Sequence, residues 1–270
     1  MLAATDFSPS AGHAVRRAAL LASELNASLR LLHVSNTATM PACDEERLQE
    51  AIAHIQPVAA TPEIRTGEVT ESLLAAADHA DMLVLGVYGN RPIKDALLGT
   101  TADRLLRKSR RPMLVVKQPP IAPYRRVLVA LDFSLQALAT LEFAHQIAPG
   151  AATFIFHAYD CPDREELRLA KVTEPEINRI HVAHRDRAFS NLENIRSKVT
   201  APTAEATFVV LPGDPKELVS ETAGKYKVDL VVVGKHGRSR IEDIFLGGVA
   251  RRTLATAHCD VAVVPGWPRI

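Results

Sequence analysis

Six glycines mark where this chain could do chemistry. Gly86, Gly89 and Gly99 stand in "LVLGVYGNRPIKDALLGTTADRLL", and Gly234, Gly237 and Gly247 in "VVVGKHGRSRIEDIFLGGVARRTL". Both stretches read Gly, two residues, Gly, nine residues, Gly. Both follow an apolar run and lead into a helical pattern. That placement suits an anion, because the first N–H groups of a helix are unpaired and the helix dipole is positive there. A glycine lets phosphate approach the main chain closely and permits positive φ. Thr100 adds a hydroxyl donor after Gly99, whereas Gly248 after Gly247 offers only its N–H. The first loop therefore reads as the better phosphate site. The spacing is neither a Walker loop nor G-x-G-x-x-G. Turn formation and helix packing are the other reading of such glycines.

The loops belong to an internal repeat. "LAATDFS" at Leu2 to Ser8 returns as "LVALDFS" at Leu128 to Ser134, and "LLHV" at Leu31 to Val34 parallels "IFHA" at Ile155 to Ala158. The offset grows from 126 at the first pair to 148 at the glycines, which places an insertion in the second copy, within Asp163 to Val199. In each copy short apolar strands alternate with helical patterns. Strands are expected at Leu2 to Thr5, Leu29 to Val34, near Glu63 to Thr66, at Met82 to Leu85 and at Met113 to Val116. In the second copy they fall at Val127 to Leu131, Thr153 to Ala158, Ala206 to Leu211, Leu230 to Val233 and Val261 to Val264. Ser8 and Pro9 read as the N-cap and first residue of a helix. Continuous apolar strands between helices predict a parallel sheet covered on both faces. The fold class is thus α/β, with two doubly wound, five-stranded, Rossmann-like domains over 1–118 and 125–270. The Pro-rich stretch 119–124 reads as a short stiff linker. Ligands of such sheets sit beyond the carboxyl ends of the strands, where the strand order reverses.

At 270 residues, 47% hydrophobic and 23% charged, the chain has the composition of a globular protein, and its length allows two domains. Its net charge of +1 gives no global field to recruit nucleic acid or an acidic membrane. Arg107, Lys108, Arg110 and Arg111 cluster at a helix end, where cations complement the dipole. Cys43, Cys161 and Cys259 lie far apart with no metal-ligand spacing and read as thiols in a reducing compartment. No apolar run is long enough to span a bilayer, and the start of the chain lacks a secretory pattern, so a cytoplasmic location is expected. His33 and His157 read as structural imidazoles in core strands. His236, Arg238 and Arg240 read either as phosphate contacts or as solvated loop charge. No nucleophile stands with a base, and no carboxylate cluster suggests a dedicated Mg2+ site.

Together, "DFS" after the first strand, "HV" in the second and G-x2-G-x9-G-[ST] after the fourth resemble the universal stress protein family, twice in one chain. The resemblance implies domains like those of the adenine nucleotide α-hydrolase group, packed as an intrachain pseudo-dimer. It also implies ATP, with Mg2+ carried by the nucleotide, as the ligand of a stress-response sensor or regulator. Carried over residue by residue, it implies Asp6, Val34, Gly86, Gly89, Gly99 and Thr100 as binding residues in the first half. In the second half it implies Asp132, Ala158, Gly234, Gly237 and Gly247, with Gly248 where the family has Ser or Thr. A homodimer in addition to the pseudo-dimer is compatible with the family. A slow ATPase or nucleotide-processing enzyme, and a scaffold with a non-nucleotide ligand or empty pockets, are the alternative functions. The missing acid/base pair counts against the enzyme.

Overall fold

The computed structural model describes residues 1–35, 42–88, 99–134, 136–199, 206–236 and 245–266. In the first half, strands β1 (Leu2–Thr5), β2 (Leu29–Ser35), β3 (Ala60–Thr66), β4 (Leu83–Gly86) and β5 (Met113–Val116) alternate with helices α1 (Pro9–Glu24), α2 (Ala42–Ala53), α3 (Val69–Ala77) and α4 (Thr100–Lys108). The second half repeats the plan. Its strands are β6 (Arg126–Ala130), β7 (Ala152–Tyr159), β8 (Thr207–Pro212), β9 (Leu230–Gly234) and β10 (Asp260–Val264). Its helices are α5 (Ala137–Ile147), α6 (Arg164–Leu169), α7 (Glu174–Arg196), α8 (Pro215–Lys225) and α9 (Gly248–Thr256). The charged insertion of the second copy forms α6 and a longer α7, which stands where α2 stands in the first half.

The ten strands of the described residues form one sheet in the order β3-β2-β1-β4-β5-β10-β9-β6-β7-β8. Within each half every pairing is parallel. The halves join where β5 meets β10 antiparallel, Val115 opposite Val261 and Met113 opposite Val263. Those residues are at most 2% exposed, so two apolar strands that would otherwise be open edges cover each other. Residues alternate along each strand between two cores. One holds Ala3, Leu31, Val84 and Leu114 with α1, α2, α5 and α7; the other holds Leu2, Leu83, Val115 and Val231 with α3, α4, α8 and α9. In each half the strand order reverses between its first and fourth strands (β1/β4 and β6/β9), which opens a crevice at the carboxyl ends.

The helix starts differ between the halves. In α1 the Ser8 hydroxyl accepts the Ala11 N–H at 3.2 Å and Pro9 occupies the first turn. In α5 Gln136 stands at the N-cap with αR backbone and no side-chain cap bond. By the repeat, Gln136 matches Ser10, so α1 starts a residue before that position and α5 a residue after it.

Charges lock the junction. Asp260 at the head of β10 is 1% exposed. It accepts from Arg17 Nε at 3.2 Å, from the Tyr124 hydroxyl at 2.7 Å and from the Lys117 N–H at 2.8 Å. Arg17 also donates to the Ala122 carbonyl at 2.7 Å and stacks over the Tyr124 ring at 4.1 Å. The stretch 117–124 is thereby held to both halves. Two lysines cross the junction to helix C-termini: Lys117 Nζ donates to the Ala257 carbonyl at 2.6 Å, and Lys235 Nζ to the Arg107 and Ser109 carbonyls at 2.6 and 3.1 Å. Among the described residues no helix is long and apolar enough to cross a membrane.

Candidate functional site

In the second half, the ends of β6, β7, β8 and β9 and the starts of α5, α8 and α9 surround a cavity of about 1360 Å³. Asp132, Ala158, Gly234, Gly247 and Gly248 all line it. The structure thus brings together every second-half site residue expected from sequence except Gly237, which lies outside the described residues with Arg238 and Arg240. The Asp132 carboxylate accepts the Ser134 N–H at 3.1 Å and so turns the chain at the strand end. Phe133 packs on the His157 ring at 4.2 Å, and His157 Nδ1 meets the Leu131 carbonyl at 2.7 Å, which gives the imidazole a structural task.

Gly247 is the N-cap of α9, and its N–H donates to the Lys235 carbonyl at 2.8 Å, closing the two ends of the loop on each other. The first half closes its loop in the same way, with Gly99 N–H on the Val87 carbonyl at 2.9 Å. Positive φ is not what these glycines supply. Gly99 has φ −62° and Gly247 φ −58°. Among the described glycines only Gly67 and Gly213, which follow β3 and β8, have positive φ, 124° and 128°. Close approach is what Gly247 and Gly234 supply. A Cβ on Gly247 would sit 2.9 Å from the Lys235 carbonyl oxygen, and one on Gly234 would sit 3.3 Å from that of His236.

Among the described residues, two polar atoms on the cavity wall are buried with no hydrogen-bond partner: the Ser134 hydroxyl and Gln136 Oε1. Buried polar atoms are normally paired, so an orphan beside a cavity marks a place where a ligand group fits. Their repeat counterparts are occupied. Ser8 caps α1, and the Ser10 hydroxyl accepts the Tyr88 N–H at 3.3 Å.

The first half places its expected residues at the same end of the sheet, with the start of α1 packed against Gly86. A Cβ on Gly86 would lie 2.6 Å from both the carbonyl carbon and the hydroxyl of Ser10, so the first turn of α1 rests directly on the end of β4. Asp6 accepts the Ser8 N–H at 3.0 Å, and Phe7 is sandwiched between His33, at 4.4 Å, and Arg47, at 4.2 Å. His33 Nδ1 meets the Thr5 carbonyl at 2.8 Å and its Nε2 lies 3.4 Å from Asp44. Val34 is half-buried and Thr100 is exposed in the first turn of α4. Gly89 lies outside the described residues. The cavity described here, about 300 Å³ between α1 and α2, is lined by none of the expected first-half site residues. Asp103 stands in the first turn of α4, paired with Arg107 at 2.9 Å, whereas the first turn of α9 carries no acid.

Sequence reasoning missed one wall and part of another. Gly213, Asp214 and Lys216 enter from the β8–α8 turn, and His184, Arg187 and Asn191 from one face of α7. The first group had a signal, since "TGEVTES" at Thr66 to Ser72 repeats as "PGDPKEL" at Pro212 to Leu218. The α7 face had none, because α7 is 23 residues long where its counterpart α2 has 12, and the sequences of the two helices do not align.

The sequence model of the Universal stress protein family matches residues 1–117 and again 123–265. A universal stress protein of Mycolicibacterium smegmatis is 27% identical over 292 aligned positions, covering 98% of this chain and 96% of that protein. One from Mycobacterium tuberculosis is 26% identical over 227, covering 78% and 67%. Among solved structures, a universal stress protein from Archaeoglobus fulgidus superposes with a TM-score of 0.71 at 19% identity, covering 98% of this chain and 97% of that one. The last likeness speaks for the fold, and the family match for descent: this chain belongs to the universal stress protein family.

Proposed function

We propose that the chain is a cytoplasmic, ATP-binding regulator of the stress response whose working nucleotide site is in the second half. The observation that carries this is the cavity bounded by Asp132, Ala158, Gly234 and Gly247, with two unpaired buried polar atoms on its wall. Its chemistry is polarised. Asp132 and the Gln136 amide oxygen are acceptors for the donors of a nucleoside, and the acid-free start of α9 suits phosphates. This reading favours the second half, where the sequence alone favours the first for its Thr100; the tight packing at Gly86 supports the change. Among the described residues no three of His, Cys, Asp and Glu cluster as metal ligands. Mg2+ would enter with the nucleotide. The proposal is binding that sets conformation, not turnover.

Mass spectrometry of small molecules released from the purified chain, followed by calorimetry with ATP, tests it. Asp132→Ala should weaken ATP about tenfold or more, the effect of losing a hydrogen bond to a charged group. Asp6→Ala should leave binding unchanged. The reverse pattern would move the site back to the first half, and no ATP binding by the wild-type chain would end the nucleotide reading.

A further inference from the structure

Lys216 and Gly248 lie side by side on the wall of the second-half cavity, and each explains the other. A Cβ built on Gly248 would sit 3.1 Å from Lys216 Cε and 4.0 Å from its Cδ. The lysine stem therefore crosses the start of α9 where the first half carries the side chain of Thr100. Lys216 matches Thr70 by the offset of 146 between Gly67 and Gly213, and Thr70 is buried. The two positions thus differ as a pair: Thr70 with Thr100 in one half, Lys216 with Gly248 in the other.

The charge on Lys216 is available. Among the described residues its ammonium has no salt-bridge partner. Its neighbour Glu217 pairs with Arg252 at 2.9 Å, and the Asp214 carboxylate accepts the Lys216 backbone N–H at 2.9 Å. Lys216 lines the same cavity as the orphaned Ser134 hydroxyl and Gln136 Oε1, which independently mark that space for a ligand. An ammonium over a helix N-terminus adds a full charge to the dipole and the free N–H groups, and all three select an anion.

We propose that Lys216 is the anion-holding residue of the second half, in place of the hydroxyl that Gly248 lacks, and that position 248 is glycine to let the lysine pass. The ligand class is a nucleoside polyphosphate, with Lys216 on its phosphate tail. This rests on the nucleotide reading of the same cavity.

Calorimetry on the full chain with ATP, adenosine and inorganic tripolyphosphate tests it, using Lys216→Ala, Gly248→Ser and the double variant, each checked by circular dichroism. Lys216→Ala should weaken ATP and tripolyphosphate about tenfold and leave adenosine unchanged. Gly248→Ser should weaken ATP when Lys216 is present, because the new side chain meets the lysine stem. In the Lys216→Ala background it should improve binding, because the hydroxyl returns to an open position. ATP binding that is indifferent to Lys216→Ala overturns the proposal and leaves the nucleotide reading standing. Tripolyphosphate binding that depends on Lys216, with ATP no tighter, keeps the lysine and removes the nucleotide. Binding of none of the three ligands removes both.

Discussion

In the first half Ser8 caps α1, Pro9 opens it, and Ser10 lies against Gly86 so tightly that a methyl there would meet its carbonyl carbon at 2.6 Å. In the second half Gln136 precedes α5 without a cap bond, and the nearest side-chain atom to a Gly234 methyl is the Thr140 hydroxyl, 3.6 Å away. Both halves have the same strand order and the same glycine at the end of the fourth strand. Their clefts differ because one helix starts earlier. A helix begun by Ser-Pro fills the crevice with its own first turn, and one begun later leaves room for a ligand. The comparison shows one glycine motif at two differently packed strand ends, with the start of the following helix setting the packing.

Several substitutions would break or sharpen that contrast. The largest effect is expected at the junction. Asp260→Ala would leave Arg17 buried without its counter-charge, and the loss of one partner of such a pair typically costs about 3–5 kcal/mol. Denaturant unfolding should show the loss as a single transition. If it instead split into two, the halves would be independent bodies, and comparing them within one cooperative unit would be wrong.

Next comes the crevice itself. Gly86→Ala should destabilise the chain by about 1–3 kcal/mol, because Ser10 backbone must move. Gly234→Ala meets its nearest atom at 3.3 Å and should cost less than about 1 kcal/mol. Thermal melting of the pair is the direct measurement; equal losses would mean that the first crevice is no tighter than the second.

A smaller effect depends on pH. Burial, and then the Asp260 carboxylate, push the Tyr124 hydroxyl well above its ordinary value. The folded chain holds that proton more tightly than the unfolded chain does. The resulting stability is complete below the unfolded value of about 10 and is lost as pH rises through the folded value. Tyr124→Phe should be somewhat less stable at neutral pH, yet lose less stability between pH 9 and about 11. Parallel alkaline profiles for the two proteins would contradict the assignment.

The smallest effect is chemical. Burial and the neighbouring Asp260 push the Cys259 thiol up to about 12, whereas Cys43 is exposed. A thiol reagent at pH 8 should label Cys43 readily and leave Cys259 unmodified until the chain unfolds. Labelling of Cys259 in the native protein would show that the junction opens.

Most of the fold was legible because apolar strands such as "VLVA" and "LVVV" announce a covered parallel sheet, and the repeat gave each element a second reading. The Ser8-Pro9 start of α1 was legible too. What it does to the crevice was not, since that depends on how far Ser10 lies from Gly86 in space. Thr100 looked decisive for the same reason: a hydroxyl is visible in sequence, but the acid at Asp103 and the closed crevice behind it gain meaning only from packing. Lys216 was hidden by distance, 32 positions from Gly248 and adjacent to it in space. Sequence allows the loop glycines both close approach and positive φ; the structure shows close approach at Gly247, where a methyl would collide with the Lys235 carbonyl.

The antiparallel seam of β5 and β10 has a consequence for how the molecule can change. Two separate copies of one chain meeting at such a seam would be encoded once, so every substitution would appear on both sides of it. Here the partners share a polypeptide, meet at an effective concentration that dilution cannot lower, and are encoded separately. One side can therefore change its crevice by substitution while the other keeps its own. The asymmetry between the two crevices is a freedom that a symmetric assembly does not have.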